Sequence, residues 1–224
     1  MSLSRISLIG TILLAIVTLV LSGAMSGWDL SSDPGANGYA RSIFALYFAD
    51  NAGELSFLAG EAGEARRAAL MRVQSIDMYY PFAYAGMAIC FFLALGLRGV
   101  KLAWLGLVVA ALAIGADLAE NEVANRILAD LAAGADPTDR LDAMHGHTWI
   151  KWGFIGGYAA ILAAIMLLAR RRFLALFPGL AAAALFGAWF SGDEPEYFNW
   201  AYQVLIPFML TFPAAAVIYL REGE

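Results

Sequence analysis

Six long apolar runs, each set off from the next by charged or polar residues, constrain this chain more than any other feature. They cover residues 6–22, 79–97, 102–121, 149–169, 173–190 and 198–220. Each is near the ~20 residues that a helix needs to cross a hydrocarbon layer about 30 Å thick. In that layer every backbone N–H and C=O must be paired within the protein, which leaves helices or a closed barrel. The runs are continuous rather than alternating, which argues against a barrel. The expected fold is an all-α integral membrane protein, a six-helix transmembrane bundle in one membrane domain spanning residues 1–224. Composition agrees: the chain is 61% hydrophobic, whereas a soluble domain is nearer ~45–50% apolar.

The connections give the expected topology. Arg98 and Lys101 follow the second run, and Arg170, Arg171 and Arg172 follow the fourth, while the loop before the sixth is acidic, with Asp193, Glu194 and Glu196. Basic short loops stay in the cytoplasm, so both termini are expected inside, in a cell membrane of bacterial cytoplasmic type. Trp28, Trp149, Trp152, Trp189 and Trp200 then fall at the outer ends as an interfacial belt, and Trp104 at the inner side. The first run reads as a retained helix. The alternative is a cleaved signal peptide with small residues at Ser22, Gly23 and Ala24.

Residues 23–76 form an expected extracytoplasmic, helical insert. It opens with a turn at Asp33-Pro34-Gly35 and continues with a short apolar helix near 39–49. An amphipathic segment at 61–73 suits a helix on the membrane surface or one packed on the bundle top. Pro81 fits the first turn of the second span, or else kinks a helix running on from the insert. Residues 122–148 read as a polar connection in which Glu122 and Arg126 pair and Gly134-Ala135-Asp136-Pro137 breaks the helix. Gly153-x-x-x-Gly157 is a close-packing motif. Pro207 and Pro213 interrupt the last span.

The polar residues inside these runs are the candidate site. Asp117, Glu120 and Asn121 are spaced i, i+3, i+4 and share one helical face. Asp117 lies about 22 Å into a helix entering at Leu102, at ~1.5 Å per residue, so it is still within the hydrocarbon, where an ionisable group implies function. Asp77 opens the second span at the same level. Tyr80 and Tyr84 follow it at i+3 and i+7, and Lys151 opens the fourth span as a counter-charge. The expectation is one pocket, opening outward, that holds a ligand on Asp77, Tyr80, Tyr84, Asp117, Glu120, Asn121 and Lys151.

An acidic residue opening one span, Asp-Leu-Ala-Glu-Asn closing the next and a lysine opening the one after resembles a group of small bacterial membrane proteins. The resemblance covers roughly Leu55 to Ala169. The group has no assigned activity, so the resemblance implies a membrane fold and no catalytic role.

Several functions are set aside. A net charge of −5 leaves no basic patch for nucleic acid. The single cysteine, Cys90, is expected to be a buried, inert thiol. The common hydrolase and nucleotide-binding motifs are missing. His145 and His147 read as loop residues, so no metal is assigned, and no cofactor is expected. Three functions stay open. The first is binding or translocation of a small polar ligand, a proton or a lipid headgroup. The second is an interfacial enzyme using carboxylate acid/base chemistry on a lipid or lipid-linked substrate. The third is a structural or accessory subunit whose small-residue faces, such as Ala181 to Ala184, meet a membrane partner or a second copy.

Overall fold

The computed structural model describes residues 1–28, 37–192 and 194–222. The turn expected at Asp33-Pro34-Gly35, and Asp193 of the acidic loop, lie outside the described residues. The chain is all-helical, with no strand among the described residues. Helix α1 is Leu3–Ser26. Three shorter elements follow: α2 (Ser42–Tyr47), a 3₁₀ helix (Ala52–Leu58) and α3 (Glu64–Asp77). Five long helices complete the chain: α4 (Tyr80–Leu97), α5 (Lys101–Ala132), α6 (Thr138–Leu168), α7 (Arg172–Phe190) and α8 (Pro195–Glu222). Six helical stretches are long and apolar enough to cross a membrane, with α3 and α4 counted together as one. The chain is a multi-pass helical membrane protein.

The six form a closed ring. Helix α1 packs on α4, each helix from α4 to α8 packs on the next, and α8 returns to α1. The centre is aromatic: Phe91, Phe92, Tyr158, Phe208 and Phe212 are fully buried and meet edge to face or at a tilt. The outer faces carry exposed Leu13, Ile16, Leu105, Val108 and Leu176. In water such a surface would be an interaction patch; around a spanning bundle it is the lipid-facing skin.

Several expectations need correction. Helices α5 and α6 do not stop where hydropathy falls. Helix α5 runs on to Ala132 and α6 begins at Thr138. Beyond the apolar run a single buried stripe suffices, and Ala124, Ile127, Leu128 and Leu131 supply it. The connection shrinks to the Gly134–Pro137 break, where Gly134 takes φ +70°, a conformation open to glycine at little cost. There Thr138 donates its hydroxyl and its N–H to Asp136, at 2.6 and 3.0 Å. These bonds hold that carboxyl below its usual range. Glu122 and Arg126 pair at 2.7 Å as expected. Helix α8 continues through Pro207 and Pro213; proline is tolerated in such helices because the surroundings re-satisfy the freed groups.

Two packing assignments also change. A Cβ at Gly153 would meet nothing, while Gly156 faces Phe186 of α7 and Gly157 faces Val109 of α5 at 3.3 Å. The Gly156-Gly157 pair, not Gly153-x-x-x-Gly157, lets α6 approach both neighbours. Ala181, Ala182 and Ala184 are buried within the chain, and Ala183 alone of that stretch is exposed. Trp149 packs on Phe48 and Phe198 and Trp152 is buried, so neither belongs to an interfacial belt. Trp28, Trp104, Trp189 and Trp200 are exposed. Cys90 is half-buried beside Gly10 and not enclosed.

The insert caps one end of the ring. All six residues of α2 are buried. Phe44 and Phe48 meet Phe198 of α8 edge-on, and Asn199 bonds both Gly38 O and Ala40 N. Helix α3 turns Arg67 inward, where its guanidinium donates to the carbonyls of Leu58 and Gly60. That holds the end of the 3₁₀ helix against α3, so at least this arginine serves packing and not a lipid surface. Only Met78 and Tyr79, both near helical geometry, separate α3 from α4. Pro81 then lies in the first turn of α4.

The close approach of α4 and α5 can be tested. A Cβ at Gly106 would lie 2.7 Å from the buried Phe92 ring. Gly106→Ala is expected to lower stability by ~1–3 kcal/mol through overpacking. Gly153→Ala, in open space, should be neutral or gain up to ~1 kcal/mol of helix propensity. Thermal unfolding of both purified variants in one detergent checks the pair.

Candidate functional site

The polar cluster lies between α4, α5 and α6 under the insert. Three of its residues come from one turn of α5. The i, i+3, i+4 spacing directs Asp117, Glu120 and Asn121 inward, and all are buried, with Glu120 at 0% and Asp117 at 3% exposure. Lys151 comes from α6 and is 5% exposed. Its ammonium lies against the Glu120 carboxylate in a direct ion-paired hydrogen bond. It is 3.6 Å from Asp117 Oδ1. Asp117 Oδ2 accepts a 2.7 Å hydrogen bond from the Tyr84 hydroxyl of α4. The close partner of Lys151 is therefore Glu120, one helical turn beyond Asp117, and Tyr84 takes the other side of Asp117.

Asp77 ends α3 and is half-buried. Asn121 Nδ2 donates to its backbone carbonyl at 3.3 Å, and its carboxylate is within electrostatic reach of Asp117, Lys151 and Glu120. Tyr80, also half-buried, has its ring 5.3 Å from that of Tyr84. The seven residues singled out from sequence thus lie in one region.

The remaining candidates do not join them. His145 and His147 are on α6, not on a loop. Two residues apart on a helix they point about 200° apart, so they cannot act as a pair. His145 Nδ1 instead lies 3.9 Å from Asp50. Glu194 lines a separate open cleft with Asp50 and Glu54.

Sequence reading missed four contributors. Tyr47 of α2 and Trp152 of α6 place their rings 4.9 and 5.1 Å from the Lys151 ammonium, a cation–π distance. Thr148 interacts with Glu120, and Tyr158 is buried within electrostatic reach of Asp117. Thr148, Lys151, Ile155 and Tyr158 follow the 3.6-residue period, so this face was legible once the helix began before Trp149. Nothing local to Tyr47 announces its place.

Beside the cluster is a cavity of about 170 Å³. Asp77, Tyr80, Tyr84, Asp117, Lys151 and Trp152 line its polar end. The remaining wall is mostly apolar, built from α1, α2, α3, α4, α6 and α8, with Thr18, Ser22 and Arg41 among its polar residues. It extends to Leu19 of α1 and to Ile206 and Leu210 of α8, all three exposed on the outside of the ring. The cavity therefore runs from a buried charged end to the apolar flank of the bundle. Two buried polar atoms of its lining, Asp117 Oδ1 and Trp152 Nε1, have no hydrogen-bond partner among the described residues. One is an acceptor and the other a donor.

Comparison of the chain with protein-family models, with curated proteins and with solved structures finds no match in any of the three.

The ion cluster can be tested for coupling. Lys151→Met leaves Glu120 and Asp117 buried without their counter-charge, and breaking such a group costs about 3–5 kcal/mol. Replacing both partners by apolar residues is often near neutral. The double variant Glu120→Leu/Lys151→Met removes one of the two stranded carboxylates and leaves Asp117, so it should melt above Lys151→Met and below the unchanged protein. Melting temperatures across the four proteins of this cycle check it, and additive losses would mean that the two side chains are not coupled.

Proposed function

We propose that this chain is a membrane protein that binds the polar head of an amphipathic, lipid-class molecule, with the molecule's apolar chain leaving between α1 and α8. One observation carries the reading. The cavity joins a buried end of carboxylates, lysine and tyrosines to a mouth formed by Leu19, Ile206 and Leu210 on the flank of the bundle. A small polar solute or a proton has no use for an apolar passage that opens sideways, whereas a lipid needs both parts. Binding sites are in general apolar with a few placed polar groups. The unpartnered Asp117 Oδ1 and Trp152 Nε1 support it further, because buried polar atoms are costly until something bonds them.

In this reading Asp77, Tyr80, Tyr84, Asp117 and Lys151 contact the head group, while Glu120 and Asn121 hold Lys151 and the end of α3 in place. The loop charges support an arrangement with both termini in the cytoplasm and the insert outside. The polar end of the cavity then lies toward the outer face.

Two experiments test this. Purified in a mild detergent, the protein should carry a co-purifying lipid detectable by native mass spectrometry. Ile206→Trp, on an exposed position at the mouth, should lower its occupancy without lowering the melting temperature. Absence of bound lipid, or occupancy indifferent to Ile206→Trp, would refute the reading. For topology, a Cys90→Ala protein carrying Glu194→Cys should label in intact cells with a membrane-impermeant thiol reagent. The same protein carrying Arg172→Cys should not, and the reverse pattern overturns the orientation.

A further inference from the structure

We infer that the head group received by this cavity is an ammonium, primary or quaternary, held by Asp77 and Asp117 within an aromatic wall. The inference rests on the lipid-binding reading and names the chemistry of the head. The site already holds one ammonium. Lys151 Nζ lies between Glu120 and Asp117, with the Tyr47 and Trp152 rings at 4.9 and 5.1 Å. Carboxylates offset the desolvation of a cation, and ring faces attract it.

The same combination continues along the cavity. Asp77 lines it beside Tyr80 and Tyr84. No lysine or arginine among the described residues forms an ion pair with the Asp77 carboxylate. Asp117, buried and lining the cavity, keeps Oδ1 without a hydrogen bond. An anionic head at this end would face both carboxylates, and the Lys151 ammonium there is already engaged by Glu120. A neutral hydroxyl could bond Asp117, but it would add no positive charge near Asp77, which shares Lys151 with Asp117 and Glu120.

The test uses single-chain probes at low mole fraction in dodecyl maltoside micelles: dodecyltrimethylammonium, dodecyl phosphate and dodecanol. Bound probe is read by native mass spectrometry, with tetramethylammonium chloride as a head-only competitor. The cationic probe should bind about tenfold more tightly than either other probe. Asp77→Asn should remove most of that preference, lowering cationic-probe binding more than dodecanol binding. Asn121 bonds the Asp77 backbone carbonyl and also interacts with its carboxyl, so an unchanged melting temperature of Asp77→Asn is the control for the fold; Tyr80→Leu should weaken the cationic probe more than the other two. Equal binding of the three probes, or a preference that Asp77→Asn leaves intact, overturns the ammonium head and leaves lipid binding standing. Tetramethylammonium binding as tightly as the dodecyl probe overturns the lipid reading and leaves the ammonium site. Binding of none of the probes overturns both.

Discussion

The contact of Lys151 with Glu120 and Asp117 is the constraint on which the rest of this bundle depends. Two carboxylates and one ammonium are placed where water has little access. Desolvation alone would forbid that arrangement. It stands because helices from distant parts of the chain deliver partners to one point. Helix α5 brings Asp117 and Glu120, α6 brings Lys151, α4 brings Tyr84 and the insert brings Tyr47. The axial register of α4, α5 and α6 is thereby fixed. A slide of one helical turn, about 5.4 Å, would leave Lys151 and Glu120 apart and buried. Close apolar fits act on the same register, with Phe92 of α4 over Gly106 of α5 and Val109 of α5 over Gly157 of α6. Polar specification of a register is a known use of buried charge, while its net contribution to stability is small.

The cavity follows from the ring. Helices α1 and α8 come from the two ends of the chain and meet only across the closing seam. Helix α1 turns small or slender residues inward, with Thr11, Ala15 and Thr18 on its buried face. Across from it, α8 carries Pro207 and Pro213, which remove backbone hydrogen bonds from that wall. A small-residue face opposed to a proline-bearing helix leaves space, and the space reaches the charged end because Asp77 and Tyr80 border the same seam. The apolar passage and the polar floor thus share one cause, namely where the ring is closed.

How much of this was legible in the sequence differs by level. The six spans were, since twenty apolar residues admit few other fates. So was the shared face of Asp117, Glu120 and Asn121, because helical periodicity alone places them together. Lys151 could be matched to them by charge. Its closest carboxylate could not be chosen, because Asp117 and Glu120 are both one turn from the right height and a lysine side chain reaches either. The helix ends were misplaced for a definite reason. Hydropathy reports contact with lipid, whereas α5 and α6 continue past the apolar run on a narrow buried stripe that averages out in any window. His145 and His147 were put on a loop by that same error. The place of Tyr47 was not legible at all. It depends on how the insert folds over the bundle, and that is fixed by Arg67 reaching Leu58 and Gly60 and by Asn199 reaching Gly38 and Ala40.

A bundle with only a structural task would be expected to close this end differently. The ion group could be replaced by apolar side chains at little net cost, and a Phe or Leu from α8 could fill the cavity. Instead the chain keeps Asp77 at the cavity without an ion-pair partner among the described residues. It also keeps Asp117 Oδ1 and Trp152 Nε1 buried without hydrogen bonds. Each such atom costs about 1–3 kcal/mol relative to a satisfied one. The places where a sequence breaks its own packing rules are where functional sites are expected. Other buried polar atoms among the described residues also lack a hydrogen bond, but Asp117 Oδ1 and Trp152 Nε1 meet with Asp77 at one cavity. An occupant that sets positive charge against Asp77 and Asp117 and offers an acceptor to Trp152 would compensate them together. The unsatisfied free state then favours binding as well as cost, because the same groups that destabilise the empty protein are stabilised by the ligand.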